Sequence, residues 1–131
     1  MKTITTWKKK QHFKSRQDKN EVDLDGNKEK GLSPKAVLLS SLSVCSGIDV
    51  VEILTKMRVD FSDLEIDAEA EQTDEHPKVF KEILVTYKLK TAAGNEDKVR
   101  KAIELSLEKY CGVAAMLRKN SAINYQLEIK S

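Results

Sequence analysis

Cysteine is scarce in this chain, which has only Cys45 and Cys111 among 131 residues. Two widely separated cysteines are too few for a disulfide framework or a zinc site, and the two histidines, His12 and His76, form no ligand cluster beside them. We therefore expect no structural disulfide, no metal and no cofactor. Taken alone, each thiol is more often a small core residue than a reactive group.

Glycine is also scarce, with five residues, and several catalytic motifs are missing altogether. The sequence has no glycine-rich phosphate loop, no GxSxG turn, no HExxH and no CxxC. Cysteine-protease chemistry needs a histidine base beside the thiol, and neither histidine lies in a segment expected next to Cys45. Because these motifs are absent, we do not expect a nucleotide-binding enzyme, a serine hydrolase, a zinc protease or a thioredoxin-like protein.

The chain has no strong excess of either charge, since 34% of its residues are charged and the net charge is only +2. Such a balance favours neither nucleic acid nor an anionic membrane as a partner. We expect no apolar run of the length of a membrane span, and the N-terminal MKTITTWKKK lacks the apolar core of a signal peptide. We predict a single domain over residues 1–131, located in the cytoplasm.

The feature that organises the sequence is a long helix predicted from Ser33 to Arg58. Ser33 suits the N-cap because its side-chain oxygen can accept hydrogen bonds from the unpaired backbone N–H groups of the first turn, and Pro34 suits the first helical position because no N–H donor is needed there. The helix is apolar or small nearly all round, which is typical of a helix inside a core. We therefore expect Cys45, near its middle, to be buried.

The charged residues of this helix follow Cys45 along one face. Asp49, Glu52 and Lys56 succeed it at steps of four, three and four residues. A carboxylate one turn away disfavours a thiolate, so a nucleophilic Cys45 would need a cation from another element. The sequence alone does not identify that cation.

Alternation of apolar and polar residues predicts strands on both sides of the helix. Two strands with a turn are expected within residues 1–20, and a short strand over Val22–Leu24. Residues 64–70 and 79–90 should pair as a hairpin in which Lys88 and Lys90 face an acidic strand. A last strand is expected over residues 123–129.

Two further helices are expected between the hairpin and the last strand. Asn95 is a candidate N-cap for the first, and the sequence Cys111-Gly112 interrupts its apolar pattern before a second, short helix. Cys111 would then lie near a helix N-terminus, where backbone N–H groups stabilise a thiolate. The element order βββαββααβ predicts an α+β fold, with antiparallel sheets around a long central helix. One small sheet cannot cover that helix, which favours a homodimer.

Chemistry that requires only sulfur is compatible with all these absences. One thiolate attacks a peroxide to form a sulfenic acid, and a second thiol condenses with it to a disulfide. Two cysteines on two core helices are the minimal set for that reaction.

The run Ser33-Pro34 through Val44-Cys45-Ser46 to Asp49-Val50-Val51, together with the segment 108–114 around Cys111, resembles the OsmC/Ohr family, most closely its YhfA-like branch. The resemblance implies an intertwined homodimer with two interfacial sites that reduce hydroperoxides, particularly organic ones. It implies that Cys45 is the peroxidatic cysteine and Cys111 the resolving cysteine. The implied reductant is an external thiol, a dithiol or a lipoylated protein.

The chain also differs from the family pattern at the start of the long helix. Members with peroxidase activity resemble one another in having a glutamate after the opening proline, where this chain has Lys35 and Ala36. Two alternatives therefore stand beside the peroxidase. One is a dimeric protein that binds a small apolar ligand without catalysis, and the other is a thiol-based redox sensor.

Overall fold

The computed structural model describes every residue except Ser131, and its elements follow the predicted order βββαββααβ. The result is a mixed α+β structure with two three-stranded sheets and three α-helices. The chain divides into two compact units, Met1–Leu38 and Leu39–Ser131. The single domain over residues 1–131 stays a prediction.

The first unit is built on an antiparallel meander of three strands. Strands β1 (Ile4–Lys9), β2 (His12–Gln17) and β3 (Asn20–Asp25) lie in the order β1-β2-β3. The β1–β2 hairpin confirms the two strands and turn predicted within residues 1–20. The turn residues Lys10 and Asp18 adopt positive φ angles of 52° and 54°, which allow tight reversals of the chain.

The connection from β3 to the long helix is organised by Asp25, which is buried. Its carboxylate accepts hydrogen bonds from the backbone N–H groups of Asn27 (2.8 Å) and Lys30 (3.1 Å). These N–H groups stabilise the charged form and lower the pKa of Asp25. The loop is thereby held by side-chain to backbone bonds rather than by a packed core.

Helix α1 runs over Pro34–Lys56, so it begins at the predicted proline and ends two residues before the predicted Arg58. Arg58 adopts a positive φ of 58° after the last turn. The N–H of Arg58 donates to Thr55 O (3.1 Å), and the N–H of Val59 donates to Leu54 O (3.0 Å). This pair of bonds is the Schellman motif, in which buried Val59 also packs near the end of the helix.

The second unit contains a sheet with the order β4-β5-β6. Strands β4 (Ser62–Gln72) and β5 (Phe80–Lys90) form the predicted antiparallel hairpin. Its charge pairing is also confirmed, because Lys88 Nζ lies 2.8 Å from Asp67 and Lys90 Nζ lies 3.3 Å from Asp63.

The last strand, β6 (Ala122–Lys130), pairs with β5 in parallel, for example Val85 with Tyr125. The expectation that all strands are antiparallel is therefore wrong at this edge. The chain leaves the end of β5 and returns through helices to the start of β6, and such a crossover connection gives parallel neighbours.

The crossover contains α2 (Glu96–Leu105), a π-helical segment (Ser106–Tyr110) and α3 (Gly112–Arg118). A short 3₁₀ turn, Ala93–Asn95, precedes α2. The predicted start of α2 is thus correct, but the capping bond is not formed, since Asn95 Nδ2 donates to Thr91 Oγ1 (3.0 Å) instead. The predicted break at Cys111-Gly112 is confirmed by the boundary between the π segment and α3.

Helix α1 is buried along one side only, contrary to the expectation that it is enclosed nearly all round. Its fully covered positions are Leu42, Ser46, Gly47, Val50 and Leu54. On its other side Val44 is 61% exposed, Ile48 55% and Val51 40%. The pattern of apolar residues therefore over-predicted burial, because α1 has two apolar sides and the β4-β5-β6 sheet of the second unit covers one of them.

By length and composition α1 is also able to cross a membrane, which corrects the statement that no segment reaches that length. Its most apolar 18-residue window has a mean hydropathy of 1.8 and is 28% buried. The core helix of a globular protein passes the same test, so this property is weak support for a membrane span.

Candidate functional site

Cys45 lies in the middle of α1 and is partly exposed, so the predicted burial is incomplete. Its position on the helix places it between the buried side that contains Leu42 and the exposed side that contains Val44. Asp49, one turn further along the same face, is also partly exposed. The thiol therefore lies at an edge of the core that small molecules can reach.

Cys111 lies at the junction of the π segment and α3 and is only 3% exposed. It is the N-cap of α3, and its Sγ accepts a hydrogen bond from the N–H of Ala114 (3.3 Å). Its own N–H donates to Ser106 O (2.7 Å), a bond that spans five residues. In addition, the Arg118 guanidinium donates to Leu107 O within the π segment. These bonds fix the Cys111 side chain in place.

The structure brings the two predicted site residues together, because Cys45 packs against the core cluster that contains Cys111 and its thiol affects the pKa of Cys111. Burial, together with Cys45 and the charge of Asp49, raises the pKa of Cys111 to about 11. The Ala114 N–H acts in the opposite direction. The predicted helix N-terminus is present, but burial outweighs it and Cys111 is held as a neutral thiol.

Three hydroxyl groups near the cysteines form a hydrogen-bonded chain that the sequence analysis did not predict. The Tyr87 hydroxyl on β5 lies 2.6 Å from Ser46 Oγ on α1, and Ser46 Oγ lies 2.9 Å from Ser106 Oγ. Ser106 Oγ also donates to Asp49 Oδ2 (2.9 Å). The three hydroxyl residues have no exposed surface. Their hydrogen-bonded chain connects the core to the carboxylate of Asp49, which follows Cys45 by one helical turn.

Part of the hydroxyl chain could have been predicted from the sequence. Ser46 and Ser106 stand on otherwise apolar helix faces, where a buried polar group needs a partner. Their partner Tyr87 is on another element, so the pairing depends on how the elements pack. Burial, together with the charges of Cys111 and Asp49, raises the pKa of Tyr87 to about 12, although the bond to Ser46 lowers it.

A groove of about 540 Å³ begins at Asp49. The predicted charged face of α1 forms one wall, and Tyr110, the neighbour of Cys111, contributes to the other. The lining residues are Asp49, Glu52, Ile53, Lys56, Met57, Leu105 and Tyr110. Its mixed apolar and charged lining can admit a small organic molecule to the vicinity of the cysteines.

A second groove, of about 550 Å³, follows the exposed apolar side of α1. Val44, Ile48 and Val51 form one wall, and Leu64 and Ile66 of β4 form the other. We call this surface the α1 apolar groove. A contiguous apolar surface of this kind is typical of a site that another molecule covers.

Neither histidine takes part in the cysteine site. His12 Nε2 pairs with Asp23 Oδ1 across β2 and β3 (2.8 Å), and His76 lies in the predicted turn between β4 and β5. Over residues 1–130, no group of three or more histidine, cysteine or acidic side chains is arranged to hold a metal. The groups described around the two cysteines are the hydroxyls of Tyr87, Ser46 and Ser106 and the carboxylate of Asp49.

Comparison with known proteins gives consistent matches in sequence and in fold. The family profile described as "OsmC-like protein" matches residues 25–126. Protein YhfA of Escherichia coli (strain K12) is 36% identical over 111 residues, which are 84% of this chain and 83% of that protein.

Among solved structures, a hypothetical protein from Aquifex aeolicus is 30% identical with a TM-score of 0.84, covering 99% of this chain and 97% of that one. The organic hydroperoxide resistance protein OhrB of Bacillus subtilis is similar in fold alone, with 16% identity, a TM-score of 0.66 and coverage of 97% and 96%. Because the profile covers most of the chain and YhfA exceeds 30% identity over most of both proteins, this chain belongs to the OsmC family.

Proposed function

We propose that the protein is a thiol-dependent hydroperoxide reductase in which Cys45 attacks the peroxide and Cys111 resolves the product to a disulfide. The observation that carries this proposal is that a partly exposed thiol packs against the core cluster that contains a buried, neutral thiol. Two neighbouring cysteines can form a disulfide once their Cα atoms lie within about 7 Å of each other.

In the first step the Cys45 thiolate attacks one peroxide oxygen and the O–O bond breaks. The sulfur is oxidised to a sulfenic acid, and the leaving alkoxide takes a proton to become an alcohol. In the second step the Cys111 sulfur displaces hydroxide from the Cys45 sulfur, which gives a disulfide and water. A thiol or dithiol of another molecule, such as a lipoylated protein, then reduces the disulfide by exchange.

The roles of the two cysteines follow from their surroundings. Cys45 has access to solvent, which a hydroperoxide needs in order to reach it. Cys111 is buried and its pKa is raised to about 11, so it is a poor nucleophile towards free peroxide at neutral pH. A neutral thiol in the core cluster against which Cys45 packs is suited to the second, intramolecular step.

The family relationship supports the same chemistry. Bacillus subtilis OhrB is named for resistance to organic hydroperoxides, and its fold is similar to that of this chain. The mixed lining of the groove beside Asp49 is compatible with an organic hydroperoxide. We therefore propose an organic hydroperoxide as substrate, and a reducing compartment such as the cytoplasm as the setting.

We also propose that a second copy of the chain covers the α1 apolar groove, which makes the protein an intertwined homodimer with α1 at its centre. The exposed residues Val44, Ile48 and Val51 give α1 a second apolar side that this chain leaves uncovered. A symmetric dimer buries the same surface of both copies. The cysteine of each α1 would then lie close to the subunit interface.

The test is to add one equivalent of cumene hydroperoxide to the reduced protein and to measure free thiols and intact mass. We expect loss of both thiols and of two hydrogen atoms in the wild type. Cys45→Ser should leave Cys111 unreacted. Cys111→Ser should accumulate a sulfenic acid on Cys45 that a dimedone-type reagent traps.

Two unreacted thiols in the wild type would refute the reductase and favour the non-catalytic ligand-binding alternative. A dimedone adduct on Cys111 in the Cys45→Ser variant, without one on Cys45 in Cys111→Ser, would reverse the assigned roles. Disulfide formation without catalytic turnover in the presence of a dithiol such as dihydrolipoate would favour the redox-sensor alternative.

A further inference from the structure

The reductase mechanism makes no use of Asp49, although the core is arranged to hold it. Ser106 Oγ binds Asp49 Oδ2 at 2.9 Å, and Ser106 itself is bound through Ser46 to the buried Tyr87 hydroxyl. Burial of three hydroxyl groups lowers the stability of the folded protein unless each forms a hydrogen bond. Their arrangement fixes one carboxylate oxygen of Asp49, which lies one helical turn from Cys45 and whose charge acts on Cys111.

Ser106 links Asp49 to Cys111. A carboxylate oxygen only accepts, so Ser106 Oγ is the donor to Asp49 Oδ2, and it also donates to Ser46 Oγ (2.9 Å). The backbone oxygen of Ser106 accepts from the Cys111 N–H (2.7 Å), so one residue contacts both the carboxylate and the resolving cysteine. Because Ser106 binds Oδ2, the other carboxylate oxygen of Asp49 can accept a proton from a neighbouring group.

The second step of the proposed reaction requires such an acceptor. The Cys111 pKa of about 11 means that the resolving thiol carries its proton at neutral pH, and this proton must leave as the disulfide forms. The titratable groups around the pair are Cys45, Glu52 and Lys56 on α1, Tyr87 on β5, and Tyr110. Asp49 is the one whose charge acts on Cys111 and whose carboxylate is held by the hydroxyl chain.

We propose that Asp49 accepts the thiol proton of Cys111 while the Cys111 sulfur attacks the sulfenic acid of Cys45. The S–S bond forms as the S–O bond breaks, and Asp49 passes the proton to the departing hydroxide, which leaves as water. No net proton, oxidant or reductant is required. Tyr87, Ser46 and Ser106 are positioning residues that orient the carboxylate, and the inference rests on the proposed reductase function.

The test separates the two chemical steps by rapid mixing of reduced protein with cumene hydroperoxide and quenching with a dimedone-type reagent. In Asp49→Asn the amide oxygen can still accept from Ser106, but the side chain no longer accepts a proton. We expect the sulfenic acid on Cys45 to form and its conversion to disulfide to slow about 100-fold or more, the usual contribution of a general base.

The pH profile gives a readout that a merely structural role would not change. Without an internal acceptor only the Cys111 thiolate reacts, so in Asp49→Asn the second step should accelerate about tenfold per pH unit towards pH 11. In Asp49→Ala, added formate should restore part of the rate because it is a small carboxylate. Ser106→Ala should slow the same step less, and Glu108→Gln, an exposed acid in the π segment, should leave it unchanged.

The outcomes separate this inference from the function on which it rests. Absence of sulfenic acid in the wild type would overturn both proposals. Normal sulfenic acid formation with an unchanged second step in Asp49→Asn would overturn the role of Asp49 alone. A faster second step in Asp49→Asn would also overturn the role of Asp49 as a proton acceptor. It would mean that the charge of Asp49 slows the step by raising the Cys111 pKa.

Discussion

Replacing Tyr87 by phenylalanine should destabilise the protein although it removes a single oxygen atom. Tyr87 has no exposed surface, and its hydroxyl lies 2.6 Å from Ser46 Oγ in the core between β5 and α1. The variant keeps the ring but removes the last hydroxyl of the chain. Ser46 then keeps Ser106 as its hydroxyl partner and loses the bond that joins it to the sheet.

Loss of one buried hydrogen bond with a partner left behind costs about 1 to 2 kcal/mol of unfolding free energy. For a chain of 131 residues this corresponds to a fall in Tm of about 4 to 7 °C. A matched control exists on the neighbouring strand, since the Tyr125 ring lies 6.2 Å from the Tyr87 ring. Its hydroxyl donates to Glu104 at an exposed position, so Tyr125→Phe should change stability by less than about 0.5 kcal/mol.

The assay is urea denaturation of reduced protein followed by circular dichroism, with all variants at one protein concentration because dimerisation would couple stability to concentration. The double variant Tyr87→Phe with Ser46→Ala should cost less than the sum of the single variants, since both remove the same bond. Equal losses for Tyr87→Phe and Tyr125→Phe, or strict additivity with Ser46→Ala, would refute the buried hydroxyl chain.

Two further predictions concern Cys111 and the α1 apolar groove. In the unfolded chain Cys111 ionises near its usual pKa of 9.0, whereas in the folded protein its pKa is about 11, so the free energy of unfolding should fall as pH rises between these values. The free energy of unfolding can be measured by urea titration at several pH values across this range. It should fall less steeply with pH in Cys111→Ala than in the wild type, and an equally steep fall would contradict the raised pKa of Cys111. Ile48→Glu should convert a dimer to a monomer in sedimentation velocity, whereas Met116→Glu, at a 68% exposed apolar position on α3, should not. A dimer that survives Ile48→Glu would place the interface elsewhere.

Much of the fold was predictable because its signals are local. The proline at the start of α1, the alternation in β4 and β5, and the Cys111-Gly112 break each act within a few residues, and each prediction is confirmed. The parallel pairing of β6 was missed because alternation identifies a strand but carries no information about its direction. The capping bond expected from the Asn95 side chain is not formed, and this side chain donates to Thr91 instead.

The burial of α1 and the state of Cys111 were harder to predict, since both depend on what surrounds an element. Apolar residues on every side of a helix predict that something covers them, but not that the same chain does so. A helix N-terminus favours a thiolate only where the thiol remains solvated. Cys111 is 3% exposed, and the loss of hydration outweighs the single Ala114 N–H bond.

The relation between Cys45 and Asp49 illustrates how far a spacing argument extends. The four-residue step correctly placed a carboxylate on the cysteine face, where it is unfavourable for a thiolate on the same helix. The sequence could not reveal that Ser106, which is 57 residues away from Asp49 along the chain, would bind this carboxylate. Because Cys111 is neutral and lies near Cys45 in the core, a carboxylate can serve as a proton acceptor there, since the resolving thiol must release a proton. The charge that disfavours the first step of the proposed reaction is therefore the group best placed to assist the second.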